Sequence, residues 1–138
     1  MRRLVPATLI AVSIVTLTGW SENLAKKTQW AVFEVSDLAR QRKELGRPYL
    51  EFLRVDSLNA GLYRLPAGAD DMQKPHDEDE IYYVLAGRAA IDVAGEKSSV
   101  GPGSVIYVKA DVEHHFEAIE QDIEVLVVFA SAGTRKKN

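Results

Sequence analysis

From Tyr49 onward the apolar residues recur at every second position, and that period commits most of the chain to β-sheet. Leu50 to Val55 and Ala60 to Leu65 read as strands joined by the turn-forming run Asp56-Ser57-Leu58-Asn59, and Pro66-Ala67-Gly68 breaks the second. A polar loop through Gln73-Lys74-Pro75 leads to a strand over Glu80 to Leu85. Ala86-Gly87-Arg88 reads as a tight turn into Ala89 to Val93, and Gly95-Glu96 opens a hairpin into Ser98-Ser99-Val100. Gly101-Pro102-Gly103 precedes Ser104 to Val108, and Glu113 to Ala118 and Ile123 to Ala130 complete the series. About seven or eight short strands, with a turn every eight to twelve residues or so, indicate an all-β sandwich or barrel.

Two of these strands, Ile81 to Leu85 and Val125 to Phe129, are apolar on both faces. A second layer covers one face, and something further must cover the other; a homodimer is the expected cover. Ahead of the sheet, Ser36 is the expected N-cap of a short charged helix over Asp37 to Leu45, ended by Gly46 and Pro48. Its apolar side has only Leu38, Ala39 and Leu45, so it lies on the outside of the body.

The N-terminus is of a different kind. Met1-Arg2-Arg3 is basic, and Leu4 to Gly19 is uncharged. This reads as a secretory leader, 1–21, and its apolar part is short for a membrane span. Leu17-Thr18-Gly19 resembles the start of a lipobox, but Trp20 stands where the lipidated cysteine would be. Export to the periplasm or medium is the expectation, with membrane contact only through the leader; a misassigned start would instead leave a cytoplasmic protein. The remaining divisions are a linker and helix over 22–47, the barrel over 48–131, and a basic tail over 132–138.

Composition removes several classes of function. The chain has no cysteine, which excludes disulfides, thiolate metal sites and cysteine nucleophiles. A net charge of −3 with no basic stripe argues against a nucleic-acid partner. No phosphate-binding loop, dinucleotide fingerprint or nucleophile elbow is present.

What remains is a pair of histidine clusters. His76-Asp77-Glu78-Asp79-Glu80 and His114-His115-Phe116 hold all 3 histidines of the chain. Histidine and glutamate are ligands for zinc, iron, manganese and nickel. Residues four apart in an extended segment share a face, so His76 and Glu80 can meet one cavity, and Tyr82 and Val84 continue that face. Opposite them, His114 would complete a three-ligand set, with Phe116 on the same wall and His115 turned away. Taken singly, each has a plainer reading: His76 as a surface histidine, Glu80 as a strand-end carboxylate paired with Arg88, and His114 as a buried structural imidazole.

The spacing resembles that of the cupin type-2 family of small bacterial single-domain proteins, within the RmlC-like jelly-roll superfamily. His76, three residues, Glu80, six residues and Gly87 are similar to the first cupin motif, and Pro102-Gly103 followed by Ser104 to Val108 and His114 to the second. The first motif usually has another histidine two residues before His76, where this chain has Lys74; Gln73 is a possible substitute ligand but stands one residue out of register. The resemblance implies a double-stranded antiparallel β-barrel with a short N-terminal helix, and a divalent metal (iron, manganese, zinc or nickel) on His76, Glu80 and His114. It also implies a small-molecule substrate or ligand. Two readings of function follow. One is a metal-dependent enzyme of dioxygenase or isomerase type acting on an oxygen-rich molecule, with Tyr82 and Tyr107 as proton donors or positioning groups. The other is a non-catalytic module that binds or senses a small ligand.

Overall fold

The computed structural model describes residues 29–130; the expected leader and basic tail lie outside the described residues. One helix, α1 (Val35–Glu44), precedes six strands: β1 (Tyr49–Arg54), β2 (Leu58–Leu65), β3 (Asp79–Val93), β4 (Glu96–Val100), β5 (Val105–Val108) and β6 (His114–Ala130). Every pairing is antiparallel, in the order β1-β2-β6-β3-β4, with β5 also on β3.

The two longest strands shape the molecule. β3 pairs with β6 from Asp79 against Ala130 to Val93 against His114. In this register Tyr82 lies opposite Val127 and Phe116 opposite Ile91. On a flat sheet nine residues of β3 would separate those two aromatic side chains by roughly 30 Å. Their ring centroids are instead 5.6 Å apart, edge to face. The β3–β6 ribbon therefore folds over on itself, and its inner face wraps one core of Leu65, Tyr82, Val84, Ile91, Phe116, Ile123, Val125 and Val127, among others. This is a jelly roll whose hydrogen-bonded path is not closed.

The fold-over corrects the expected strand count. Ala86-Gly87-Arg88 does not reverse the chain: β3 runs through it, with register shifts between Val84 and Ala90. Gly87 has φ +85, and a Cβ there would lie 2.2 Å from the Asp122 carbonyl oxygen across the ribbon. The glycine marks a bulge at which both strands bend together, a role that sequence punctuation cannot distinguish from a turn. In the same way the expected strands Glu113 to Ala118 and Ile123 to Ala130 are one strand, β6, with Ala118 at φ +45.

The helix starts before the expected cap. Glu34 occupies the N-cap position without a side-chain cap, and its carbonyl accepts the Asp37 and Leu38 N–H groups. Leu38 and Arg42, four residues apart, form its buried face; Leu45 stays half exposed. Arg42 reaches Glu124 of β6 at 3.5 Å, its aliphatic stem covering the sheet. Ala60 and Leu62 are buried on this outer face of β2, which α1 contacts. Further along the same face nothing described covers the sheet, and Ile81, Tyr83, Val105 and Tyr107 are 47%, 43%, 67% and 60% exposed.

Candidate metal centre

Glu80 is the second residue of β3 and points inward, flanked in register by Val108 of β5 and Phe129 of β6. His76 precedes the strand in irregular backbone, and His114 opens β6. Two hydrogen bonds join the segments carrying them: the Asp111 N–H donates to the His76 carbonyl at 2.7 Å, and the Ala110 N–H to Asp79 Oδ1 at 3.0 Å. Asp111 adopts φ +64 in making this turn, a conformation aspartate tolerates better than most residues.

At the centre, Glu80 Oε1 lies 3.2 Å from His76 Nδ1 and 3.0 Å from His114 Nε2. All three residues offer ligand atoms within 4.8 Å of one another. Glu80 is 2% exposed, and its second oxygen, Oε2, is buried with no hydrogen-bond partner. The His114 Nδ1 is 2.8 Å from the Val112 carbonyl, so it carries a proton and donates there. That bond leaves Nε2 as the coordinating nitrogen in the neutral ring, the usual means of orienting a metal-binding imidazole.

The arrangement requires a positive charge. With Nδ1 protonated, a neutral His114 would set the Nε2 lone pair against a carboxylate oxygen at 3.0 Å. Either a proton or a metal ion resolves this. Burial alone would lower the His114 pKa, but the Glu80 carboxylate and the Val112 carbonyl outweigh it and hold the imidazole above its ordinary value. Burial alone would raise Glu80, but the surrounding His114, Tyr82 and His76 keep its carboxyl below the ordinary value. An orphaned carboxylate oxygen, an oriented imidazole and a second imidazole form a donor set that suits a divalent ion.

Tyr82 hangs over this group. Its hydroxyl is 3.1 Å from His114 Nε2 and donates to Gln73 Oε1 at 3.0 Å. Burial and the neighbouring Glu80 charge push the phenol far above its ordinary value, so it stays protonated. Beyond it opens a cavity of about 330 Å³, lined by Tyr49, Tyr63, Tyr82, Gln73, His76 and Phe129, with Glu51, Arg54, Asn59 and Glu78 among its other lining residues.

Several of these residues were not evident from sequence. Gln73 faces the cavity, whereas Lys74, in register with the missing histidine, is exposed to solvent. Gln73 is held by Asp71, whose carboxylate accepts the Gln73 side chain at 2.7 Å, the Tyr63 hydroxyl at 2.7 Å and the Phe116 N–H at 2.8 Å. A lone aspartate in a polar loop gives no such signal. Tyr49 and Tyr63 were legible only as alternating strand residues.

Two other residues lie apart from the centre. Tyr107 pairs with Ile81, one residue out of phase with Glu80, and so faces outward on the bare side of the sheet; the fold does not bring it to the cluster. His115 also turns away, toward Glu117 at 3.8 Å and Asp92, its partner in register. Those three could hold an ion, but Lys97 already pairs with Glu117 at 2.8 Å and reaches Asp92 at 4.0 Å.

The geometry agrees with comparisons to known proteins. A family model for the cupin domain matches residues 61–129. An uncharacterized protein of Streptomyces coelicolor is 48% identical over 98 residues, 71% of this chain and 93% of its own. Among solved structures, KdgF from a Halomonas species superposes with a TM-score of 0.55 at 25% identity, over 59% of this chain and 76% of its own. A variant of salicylate 1,2-dioxygenase from Pseudoaminobacter salicylatoxidans, in complex with gentisate, gives 0.59 at 17% identity over 72% of this chain and 32% of its own, a likeness of fold alone. With its two motifs on one folded-over ribbon and the family model spanning the strands that carry them, the chain belongs to the cupin family.

Proposed function

We propose that this protein holds one divalent metal on His76, Glu80 and His114 and acts there on a small oxygen-rich molecule, as an enzyme of dioxygenase or isomerase type. The observation that carries this is the buried, unpartnered Oε2 of Glu80 beside two imidazole nitrogens. A bound ion would supply a Lewis acid for an oxygen ligand. The chain's own residues do the rest: Val112 fixes the His114 tautomer, Glu80 supplies the negative charge, and the Tyr82 hydroxyl, anchored by donating to Gln73 Oε1, holds its oxygen over the cavity floor 3.1 Å from His114 Nε2.

The other reading is a ligand-binding module without turnover. It is favoured by the chemistry of Tyr82, whose raised pKa makes it a poor proton donor in a reaction and whose one proton is already held by Gln73. Export through the expected leader is part of the proposal, and fractionation of cells making the full chain tests it.

Elemental analysis of untagged protein tests the site. About one metal per chain is expected, with His76→Ala and His114→Ala losing most of it and His115→Ala retaining it. Oxygen-electrode and product assays across iron, manganese and zinc forms, with Glu80→Ala as control, then separate the two readings. Binding without turnover in every form would leave the module. A metal-free protein after reconstitution would end the proposal.

A further inference from the structure

The cavity is not electrically neutral at its outer end. Its lining includes two carboxylates, Glu51 and Glu78, and one permanent cation, Arg54. Arg54 is already committed: Nε donates to Glu51 Oε1 at 2.8 Å and Nη2 to Oε2 at 2.5 Å. Glu78 has no such partner. Among the described residues its only hydrogen bond is a long one, 3.4 Å, from the Asn59 amide; the Arg54 charge also reaches it, but outside ion-pair distance, and two carboxylates against one guanidinium leave the rim net negative. Asn59 is 5% exposed and fixed in β2, so it holds the Glu78 carboxylate at the rim without neutralising it.

The walls between rim and floor are aromatic. Tyr49 and Tyr63 meet edge to face, with centroids 6.5 Å apart. The Tyr49 ring lies so close over Gly61 that a Cβ there would sit 2.1 Å from it, so the glycine lets the ring take this position. Burial and the charge of Glu51 push the Tyr49 phenol up to about 12, so its ring remains neutral. Neutral aromatic rings beside a rim of net negative charge are the chemistry that attracts a cation, above all a bulky, weakly hydrated one. At the floor the charge preference reverses: Glu80 neutralises only one charge of a divalent ion, so the centre favours an anionic oxygen ligand.

We propose that the cavity selects a small zwitterion, its anionic oxygen head directed toward His76 and Tyr82 and its ammonium or other onium tail held by Glu78 and the faces of Tyr49 and Tyr63. The anionic half rests on the metal reading above; the cationic half does not. The cavity, about 330 Å³, is near the lower end of ligand sites and suits a molecule of this size. Of the acidic run Asp77-Glu78-Asp79, only Glu78 lines it: Asp77 is exposed, and Asp79 is bound to Ala110.

Two probes of the same shape isolate the tail charge. Glycine betaine and 3,3-dimethylbutanoate differ only in a cationic nitrogen in place of a carbon. In calorimetric titrations of the metal-loaded full chain, betaine is expected to bind about tenfold more tightly, the size of a desolvated cation–aromatic contact. Glu78→Gln keeps the oxygen that Asn59 contacts and removes only the charge, so it is expected to abolish most of that preference without lowering metal content. Tyr49→Leu is expected to reduce it as well. His76→Ala, depleted of metal, is expected to weaken both probes and leave their ratio. Equal affinities in the wild type, no betaine binding, or an unchanged ratio in Glu78→Gln would overturn the inference. A protein that carries no metal yet keeps the ratio would instead sink the metal reading and leave the cationic half standing.

Discussion

The pair Glu80 and His114 is where residue chemistry decides behaviour. In the metal-free protein the folded-state pKa of His114 lies above its unfolded value, so the stabilisation from the charged ring is complete below about pH 6.5 and is lost as pH rises through the raised value. Glu80 is displaced downward, so its contribution is present above its ordinary 4.5 and is lost as pH falls through the lowered value. The pair is therefore intact between those limits. We expect the difference in Tm between metal-free wild type and His114→Ala to be largest near pH 5.5 and to shrink toward pH 8. Metal competes with the same proton, so zinc is expected to raise Tm more at pH 8 than at pH 5.5. Thermal melts at both values, with and without zinc, check both signs. Residue identity made His76, Glu80 and His114 legible from spacing alone. Gln73 is disfavoured by spacing, because one position out of register in a strand would face the wrong way, but the irregular backbone before β3 lets it face the cavity.

At the scale of the element, the sheet pairing is set by the alternating pattern, and the bends are set by glycine and close approach. Gly87 is the clearest case: its φ of +85 and the 2.2 Å approach to Asp122 both forbid a side chain. Gly87→Ala is expected to cost roughly 3 kcal/mol, the sum of backbone strain and displacement of the facing strand. That corresponds to a fall in Tm of about 12–20 °C, read by calorimetry. Gly61→Ala differs, because what it meets is the flexible end of Tyr49; there a smaller loss of stability with a changed cavity is expected. In the sequence Gly87 stands out as a motif residue and reads as part of a turn. Glycine in a reversing loop and glycine in a bulge look alike until the strand across from it is known.

For the whole molecule, the bare outer face is the main unresolved demand of the fold. Val105 faces Tyr83, and Tyr107 faces Ile81, so the four exposed side chains form one continuous patch beside Leu126 and Val128. Paired about a two-fold axis, two such patches would approach the roughly 1,000 Å² that a biological contact needs. Light scattering on the full chain is expected to give a dimer. The double variant Val105→Lys, Tyr107→Lys is expected to be monomeric with unchanged metal content, because these residues lie on the face opposite Glu80 and His114. A monomeric wild type would mean that a second copy does not cover this face.

The sequence by itself determined the antiparallel strands, the positions of the two motifs and the identity of the three ligand-type residues. These are local properties: the period of apolar residues, the spacing of histidine and glutamate, and the absence of cysteine. Only the tertiary structure decided that the ligand-type residues meet. In the register of β3 against β6, Glu80 faces Phe129 and His114 faces Val93, roughly 40 Å apart along a flat ribbon. They lie 3.0 Å apart because the bulge at Gly87 folds that ribbon over one core. The same folding turned Tyr107 outward and brought Asp71, Gln73 and Glu78 to the cavity and its support. Distance through space depends on curvature, and curvature arises from contacts between strands that are far apart in the chain.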